Sequence, residues 1–245
     1  MTATPDPMSG EVVYSRMRWN APLSEEHASL LLDRLGVSPG DEVTDLGCGW
    51  GELLLRAVVA EQAATGVGVD IDLSGLQRGR DAVADAGLSD RISFCAEDVS
   101  KWTTPADRIV CVGASHAWGS SLEALRALLG LVRPHGRVLF GDGCWESPPS
   151  NEGASAIFGD EVLALTDLVE SATALGWRVV HLSTADQREW DDFEGTWRAG
   201  RQEWLLANPN DKRAAQVRDK VDSQLRQYVG AYRGVLSFTY LVLSR

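Results

Sequence analysis

The sequence has few positive charges, few cysteines and no long apolar run. Its 23 Lys and Arg residues stand against 35 Asp and Glu residues, which gives a formal net charge of −12. Because phosphate backbones bind clustered Lys and Arg, this excess of acids argues against an RNA or DNA substrate, unless a local basic patch survives the average. No run approaches the roughly 18–20 apolar residues of a membrane-spanning helix, and the start of the chain lacks the apolar core of a signal peptide. We therefore expect a protein with no nucleic-acid and no membrane partner.

The four cysteines show neither metal-type pairing nor the spacing of a disulfide framework. Three of them fall in predicted strands or strand ends, where cysteine is usually a small buried hydrophobic residue. The sequence thus predicts no metal site and a reduced, cytoplasmic location. The length of 245 residues and the apolar content of 44% suit one large α/β domain, or a domain with one insertion.

The most informative segment is 43–51, which reads Val-Thr-Asp-Leu-Gly-Cys-Gly-Trp-Gly. A short β-type run stops in three alternating glycines, and an apolar helical pattern follows. Strand, glycine turn and helix are how an α/β sheet brings bare backbone up to a ligand at the carboxyl end of its first strand. The dinucleotide fingerprint needs Gly or Ala three residues after the second glycine, where this chain has Glu52. The turn therefore does not match a pyrophosphate site. It is either a turn that approaches another kind of ligand or a glycine-rich turn that binds nothing.

Strands that alternate with helices along most of the chain predict a parallel sheet. The predicted strands are 42–46, 66–70, 92–96, 108–112, 137–140, 177–182 and a last apolar run at 235–243. The predicted helices between them are 27–35, with Ser24 as N-cap, 51–63, 73–86, 121–131 and 160–176. The composition of 141–153 indicates a loop, and 185–230 reads as a long, mostly helical insertion.

Acidic residues stand at the ends of the second and third predicted strands. The carboxylate of Asp70 is placed to accept both hydroxyls of a ribose, with Ile71 against the adenine face; the alternative is an acid favoured at a helix N-terminus. Asp98 and Val99 are placed to meet the adenine amino group and a ring nitrogen. The alternative for Asp98 is the N-cap of the following turn.

The fourth predicted strand ends in small residues and a histidine. Gly113 leaves room beside a reacting centre, and His116 and Trp118 follow on the loop. A lone histidine is more often structural, but the carboxyl edge of a central strand is where the crevice of a doubly wound sheet opens. We take His116, with the carboxylates Asp142 and Glu146 after strand five, as candidate bases.

In order and spacing, these motifs resemble the class I S-adenosylmethionine-dependent methyltransferases. The resemblance rests on motif I at 43–51, Asp70, the pair Glu97-Asp98, the end of strand four, and the turn at 133–137, although His135 stands where that family often has glycine. It implies a seven-stranded, mostly parallel doubly wound sheet with the last strand antiparallel between the fifth and the sixth. It also implies bound S-adenosyl-L-methionine and methyl transfer, but no particular acceptor. The cofactor-binding residues expected on this basis are Asp45, Gly47, Cys48, Gly49, Gly51, Asp70, Ile71, Asp98, Val99 and Gly113.

The resemblance divides the chain into three parts. We predict an N-terminal helical lid at 1–36, a cofactor-binding domain at 37–184 with 234–245, and a helical substrate cover at 185–233. Aromatic residues near the expected crevice are candidates for acceptor binding: Tyr14, Trp19, Trp118, Trp145 and Trp190. Trp197 and Trp204 continue the seven-residue spacing of Trp190, and we expect them to pack the helix onto the domain instead.

The function predicted from the sequence is methyl transfer to oxygen, nitrogen or carbon of a small molecule of specialised metabolism, by a monomer or homodimer. A cyclopropane-forming acyl-chain enzyme and a protein methyltransferase are the enzymatic alternatives. A non-catalytic protein that keeps the fold as a cofactor-binding scaffold is the alternative outside enzymes.

Overall fold

The computed structural model describes residues 6–147, 154, 157–158 and 162–245. One sheet holds seven strands in the order β3-β2-β1-β4-β5-β7-β6. Strands β1 to β5 pair in parallel, and β7 pairs antiparallel with both β5 and β6. The predicted fold class, with its antiparallel last strand between the fifth and sixth, is confirmed. The strands are β1 Glu42–Leu46, β2 Thr65–Asp70, β3 Ile92–Ala96, β4 Ala106–Val112, β5 Val132–Trp145, β6 Arg178–Thr184 and β7 Leu236–Ser244.

Helices cover both faces of the sheet, and most begin at a side-chain cap. Ser24 accepts the amide of His27, Asp72 that of Ser74 and Ser120 that of Glu123, so that each cap satisfies an amide left free in a first turn. The insertion is helical, as expected. The helices are α1 Gly10–Val13, α2 Glu25–Leu35, α3 Glu52–Val59, α4 Leu73–Asp85, α5 Ser121–Leu131, α6 Leu165–Ala174, α7 Gln187–Ala207 and α8 Ala214–Gln227, with 3₁₀ turns at Val99–Lys101 and Ser115–Trp118 and a π turn at Tyr228–Tyr232.

The core lies on both faces of the sheet because successive side chains of a strand point to opposite faces. In β7, Leu241 and Leu243 join the cluster under α5 and α6, whereas Tyr240 and Val242 join the cluster under α2. A strand buried on both faces reads as a continuous apolar run, which is why the sequence showed β7 clearly. Among the described residues, no helix is long and apolar enough to cross a membrane.

Strand five is longer than the sequence indicated, and the predicted loop at 141–153 is wrong for its first five residues. Those residues continue β5 to Trp145 and pair with β7. Gly141 reads as a loop residue but fits a crowded strand, because a Cβ there would lie 3.0 Å from a ring carbon of Phe238 and 3.1 Å from one of Tyr240. Residues 146–147 are irregular, as predicted, and 148–153 lie outside the described residues.

Two helices are shorter than predicted. The helix expected over 51–63 ends at Val59, and the helix expected from 160 begins at Leu165. Residues 160–161 lie outside the described part of the chain. Neither difference moves the carboxyl edge of β1 to β4, where the residues singled out from the sequence collect.

Candidate active site

In the glycine turn after β1, two glycines are in close contact with neighbouring residues, and the third has no protein atom beside it. Gly47 has φ +77° and a Cβ there would lie 2.3 Å from the Cβ of Ala114; at Gly51, with φ +71°, it would lie 2.6 Å from the ring of Phe94. Gly49 has φ +55°, yet a Cβ there would meet no protein atom within 4 Å. Two glycines therefore let the turn reach its neighbours, and Gly49 faces open space.

That space is a cavity of about 280 Å³ over the turn, which we call the first cavity. Nine of the ten residues expected to bind the cofactor line it; the exception is Gly51, which lies behind the turn against Phe94. The predicted cofactor residues that line it are Asp45, Gly47, Cys48, Gly49, Asp70, Ile71, Asp98, Val99 and Gly113. Residues from three strand ends and the turn thus share one cavity.

The carboxylate of Asp70 holds the turn in place. Its Oδ2 accepts the amide of Gly49 at 2.8 Å and its Oδ1 accepts the amide of Asp72 at 2.9 Å. Each carboxylate oxygen has a second lone pair, so two further donors fit. The N-cap of α4 is Asp72 rather than Asp70.

Asp45 lies beneath the turn with 3% of its surface exposed. Burial and the neighbouring carboxylate of Asp70 raise its pKa to about 8, against the opposing hydrogen bond from the amide of Leu54. Burial favours the neutral acid, so Asp45 is mostly protonated at neutral pH when the first cavity holds no cation.

Asp98 and Ile71, both expected from the sequence to lie beside an adenine, differ in their surroundings. Asp98 accepts the amide and hydroxyl of Ser100 at 3.0 and 2.7 Å, and these bonds lower its pKa. Asp98 is therefore the N-cap of the short turn that follows, while its side chain also lines the first cavity. Ile71 is 75% exposed at the edge of the cavity, where it presents an apolar side chain.

The N-terminal segment crosses the first cavity and is fastened there by residues that sequence reasoning missed. Tyr14 and Trp19 line the cavity, as does Trp50. The Trp50 Nε1 donates to the carbonyl of Arg18 at 2.6 Å, and its ring lies under the Arg78 guanidinium, 4.2 Å from the ring centroid. Arg78 in turn donates to the carbonyls of Tyr14 and Met17 at 2.9 and 2.7 Å. No local motif marks Trp50 or Arg78 for this task.

A second cavity, of about 330 Å³, adjoins the first, and Asn20 and His116 line both. Its wall is aromatic, with five rings from four separate parts of the chain. Its polar groups include Asp142 and Glu194, both absent from the first cavity. The aromatic residues are Phe158, Trp190, Phe193, Tyr232 and Phe238.

The three candidate bases differ in whether they line the second cavity. His116 is exposed on the turn Ser115–Trp118, and Asp142 faces the second cavity, where its Oδ2 accepts the hydroxyl of Ser121 at 2.6 Å. Glu146 is exposed and lines neither cavity. The structure thus brings His116 and Asp142 to one place and leaves Glu146 outside it.

The aromatic candidates for acceptor binding also differ in whether they line a cavity. Trp190 lines the second cavity. Trp145 stands behind its wall, edge-on to Phe158 with ring centroids 6.0 Å apart, and Trp118 packs against the core. Trp204 lies in a small cluster with Val217 and Val221 of α8, so it packs the two helices of the insertion on each other and not, as expected, the helix onto the cofactor-binding domain.

Glu194 is the residue of the second cavity that sequence reasoning missed most completely. It is 4% exposed, and its carboxylate accepts the hydroxyl of Tyr232 at 2.6 Å and the amide of Gln224 at 3.1 Å. The three residues lie on α7, α8 and the π turn. The only signal in the sequence was a mixture of acids and aromatics in the insertion, which did not distinguish Glu194 from its neighbours.

Glu189 joins the N-terminal part of the chain to the insertion. Its carboxylate accepts the amide of Ser24 at 2.8 Å, the ring Nδ1 of His27 lies 3.1 Å from it, and the amide of Asp186 donates at 2.9 Å. Burial opposes its charge, but these hydrogen bonds prevail and lower its pKa to about 2. We call Ser24, His27 and Glu189 the α2–α7 clamp.

Known proteins resemble the chain along nearly its whole length. The uncharacterized protein YjhP of Escherichia coli is 30% identical over 221 residues, which cover 88% of this chain and 89% of YjhP. A methyltransferase of Geobacter sulfurreducens dependent on S-adenosylmethionine, solved with S-adenosyl-L-homocysteine, is 28% identical with TM-score 0.87 over 99% of both chains. The corresponding structure from Thiobacillus denitrificans is 26% identical with TM-score 0.87, over 99% of this chain and 100% of the other. The family model described as mycolic acid cyclopropane synthetase matches residues 24–142.

Proposed function

The chain belongs to the class I S-adenosylmethionine-dependent methyltransferases, and on that premise we propose that the first cavity holds the cofactor and the second holds a small-molecule acceptor. One observation carries the assignment: the two cavities adjoin, and His116 and Asn20 line both of them. Methyl transfer is an in-line displacement, which needs the acceptor atom held on the methyl–sulfur axis. Two adjoining cavities supply that placement.

The residues of the first cavity fit the cofactor. Gly49 leaves space where any other residue would place a Cβ, Asp70 has free lone pairs beside it, and Ile71 offers an apolar face. Asp45, under the turn, suits the ammonium of the methionine end, and the free lone pairs of Asp70 suit the ribose hydroxyls. When bound, the cofactor supplies an already activated methyl group, so the protein has only to position the acceptor and take up any proton that it loses.

The protein's own part in the reaction falls to the residues between the cavities. His116 faces both and has no hydrogen-bond partner for its ring among the described residues. Histidine takes up and releases protons near neutral pH, so we assign to it the removal of a proton from the acceptor. Asp142, which already accepts the Ser121 hydroxyl and lines the same cavity, orients the acceptor.

An acyl-chain substrate is the second candidate, because the matching family model is described as mycolic acid cyclopropane synthetase. A long apolar chain would have to pass Asp142 and Glu194 in a cavity of about 330 Å³. Burying two carboxylates against hydrocarbon is unfavourable. The second cavity therefore favours a compact, partly polar acceptor.

Transfer of a radioactive methyl group tests these assignments. The purified protein is incubated with labelled cofactor and a cell extract that has been separated into small molecules, lipids and proteins. We expect label in the small-molecule fraction. Label in the lipid fraction would support the acyl-chain enzyme, label in protein would support a protein methyltransferase, and cofactor binding without transfer to any fraction would support a scaffold.

The lid and cover assigned to 1–36 and 185–233 are part of the same proposal. Tyr14, Trp19 and Asn20 line the first cavity, and Trp190, Phe193 and Glu194 line the second. A cytoplasmic location and a monomeric or homodimeric state stay predictions from the sequence.

A further inference from the structure

The second cavity combines an aromatic wall with one buried acid, Glu194, and one half-buried acid, Asp142. Tyr232 lies edge-on to Phe158 and to Trp190, with centroids 5.0 and 6.3 Å apart, and Trp190 lies edge-on to Phe193 at 6.0 Å. Four of the five lining rings therefore form one connected surface. A wall of this kind is attractive both to apolar groups and to cations, because the face of an aromatic ring carries negative charge.

The charges of this cavity are all of one sign. Asp142 and Glu194 line it, and none of the described lining residues is Lys or Arg. Within the described chain, neither carboxylate belongs to an ion pair. The nearby Arg198 donates through Nε to the main-chain carbonyl of Glu194, at 3.1 Å, and not to its carboxylate.

Among the described residues, a phenol and an amide are the hydrogen-bond donors to the Glu194 carboxylate, so at 4% exposure its charge is incompletely compensated. Burying a charge costs free energy unless an opposite charge or several hydrogen bonds offset it. A cation that enters the cavity would offset the charge of Glu194 and meet the aromatic wall at once. An anion would meet the same acids as like charges.

We infer that the acceptor carries an organic ammonium group, which the aromatic wall and Glu194 recognise. The inference rests on the proposed function, since it takes the second cavity as the acceptor site. A protonated or quaternary amine keeps its attraction to aromatic faces even where it loses water, and a charge-assisted contact with a buried carboxylate adds to it. A simple structural role, in which Glu194 only fixes the π turn through Tyr232, is the competing account.

A matched pair of probes separates charge from shape. Protein saturated with S-adenosyl-L-homocysteine is titrated with choline and with 3,3-dimethylbutan-1-ol, which has the same shape but a neutral carbon in place of the nitrogen. Benzyltrimethylammonium serves as a larger cation. We expect each ammonium ion to bind roughly tenfold more tightly than the neutral alcohol, the range of a desolvated cation–π contact.

Variants then assign the preference to Glu194. Glu194→Gln keeps an oxygen for the Tyr232 hydroxyl but removes the charge, and we expect it to abolish most of the preference for choline over the alcohol. Glu203→Gln, on the exposed side of the same helix where Glu203 pairs with Arg16, makes the same chemical change away from the cavity and should keep the preference. Phe193→Leu offers a second test in the wall should Glu194→Gln fail to fold.

The outcomes are distinct. If S-adenosyl-L-homocysteine itself does not bind, the assignment of the first cavity fails. If it binds but choline and the neutral alcohol bind equally, the ammonium acceptor is wrong and the cofactor assignment stands. Preference for the cation that survives unchanged in Glu194→Gln, or in Phe193→Leu where Glu194→Gln does not fold, would place the recognition elsewhere and overturn the inference for this cavity.

Discussion

The pKa of a single carboxyl at the first cavity should depend on whether a ligand is bound there. Asp45 is the clearest example, because burial holds its pKa at about 8, far from the ordinary 3.8. In the folded protein the acid keeps its proton at pH values where the unfolded chain has lost it. Its contribution therefore destabilises the fold as pH rises between 3.8 and about 8, and is constant above that range.

Cofactor binding should reverse this balance and release a proton. An ammonium beside Asp45 favours the charged carboxylate, so the pKa should fall on binding, and affinity for S-adenosyl-L-homocysteine should rise with pH up to about 8. Calorimetry at pH 7 in two buffers of different ionisation enthalpy counts the protons released. Asp45→Asn has no such proton to release. If the variant and the wild type release the same number of protons on binding, Asp45 is not the group that titrates.

Gly49 and Gly40 form a matched pair that separates backbone strain from ligand contact. Both have positive φ, +55° and +84°, and at neither would a Cβ meet a protein atom within 4 Å. Alanine at either position should destabilise the fold by a similar amount, about 1–2 kcal/mol for the left-handed region. Only Gly49→Ala should also weaken S-adenosyl-L-homocysteine, by at least roughly tenfold, since its Cβ enters the first cavity. Denaturant unfolding and calorimetry measure the two effects, and equal affinity in both variants would remove Gly49 from the site.

His116 should affect turnover rather than binding. If it takes the proton of the acceptor, His116→Ala should keep cofactor affinity within a few-fold while kcat falls by roughly 10²–10⁴, the usual range for a general base. The loss of kcat in His116→Ala should be smaller at high pH, where more of the acceptor has already given up its proton to the solvent. A fall in turnover that only follows a fall in cofactor affinity would show a binding role instead.

At the scale of elements, β7 was predictable because both of its faces are buried and such a strand is a nearly continuous apolar run, whereas β1, with Glu42, Thr44 and Asp45, was predictable from the glycine turn that follows it. The extension of β5 was not predictable, since Gly141 and Gly143 have the composition of a loop. Contact with the rings of Phe238 and Tyr240, some 100 residues later, is what favours glycine at 141. Tertiary contact of this kind leaves no local trace in the sequence.

The α2–α7 clamp should control how firmly the insertion is held. Glu189→Gln removes the charge that binds Ser24 and His27, so amide exchange should speed up in both α2 and α7. In Glu203→Gln, farther along α7, exchange in α2 should stay as in the wild type. Hydrogen exchange of the wild type should also show the insertion less protected than β1 and β4, and slower on adding cofactor and acceptor. Protection equal to that of those strands, unchanged by ligands, would count against a moving cover.

Across the whole molecule, the two cavities differ in how far the sequence revealed them. The first is built mainly from the ends of consecutive strands and the turn between them, so a parallel sheet with known order brings its residues together. The second collects Asn20, His116, Asp142, Glu194 and Phe238, which only the completed topology makes neighbours. Spacing along the chain carries no information about such a set.

Ligand binding should be visible in the stability of the entire protein. A ligand that binds only the folded state adds about 2.7 kcal/mol when its concentration is 100 times the Kd. For a chain of this size, that should raise Tm by roughly 5–10 °C. Scanning calorimetry with S-adenosyl-L-homocysteine should show the shift, and NAD should give none. A shift with NAD alone would contradict the fit of the first cavity.

The position of β7 between β5 and β6 also determines the order in which the sheet and the two cavities can be completed during synthesis. Within the described sheet, β6 pairs only with β7, so it waits without a partner while the next 50 or so residues are made, a few seconds at about 5–20 residues per second. The residues of the first cavity lie between Tyr14 and Ala117 and emerge early. Those of the second include Leu236 and Phe238, in β7 itself. A nascent chain thus holds every residue of the first cavity, which we propose for the cofactor, well before it has the last wall of the second, which we propose for the acceptor.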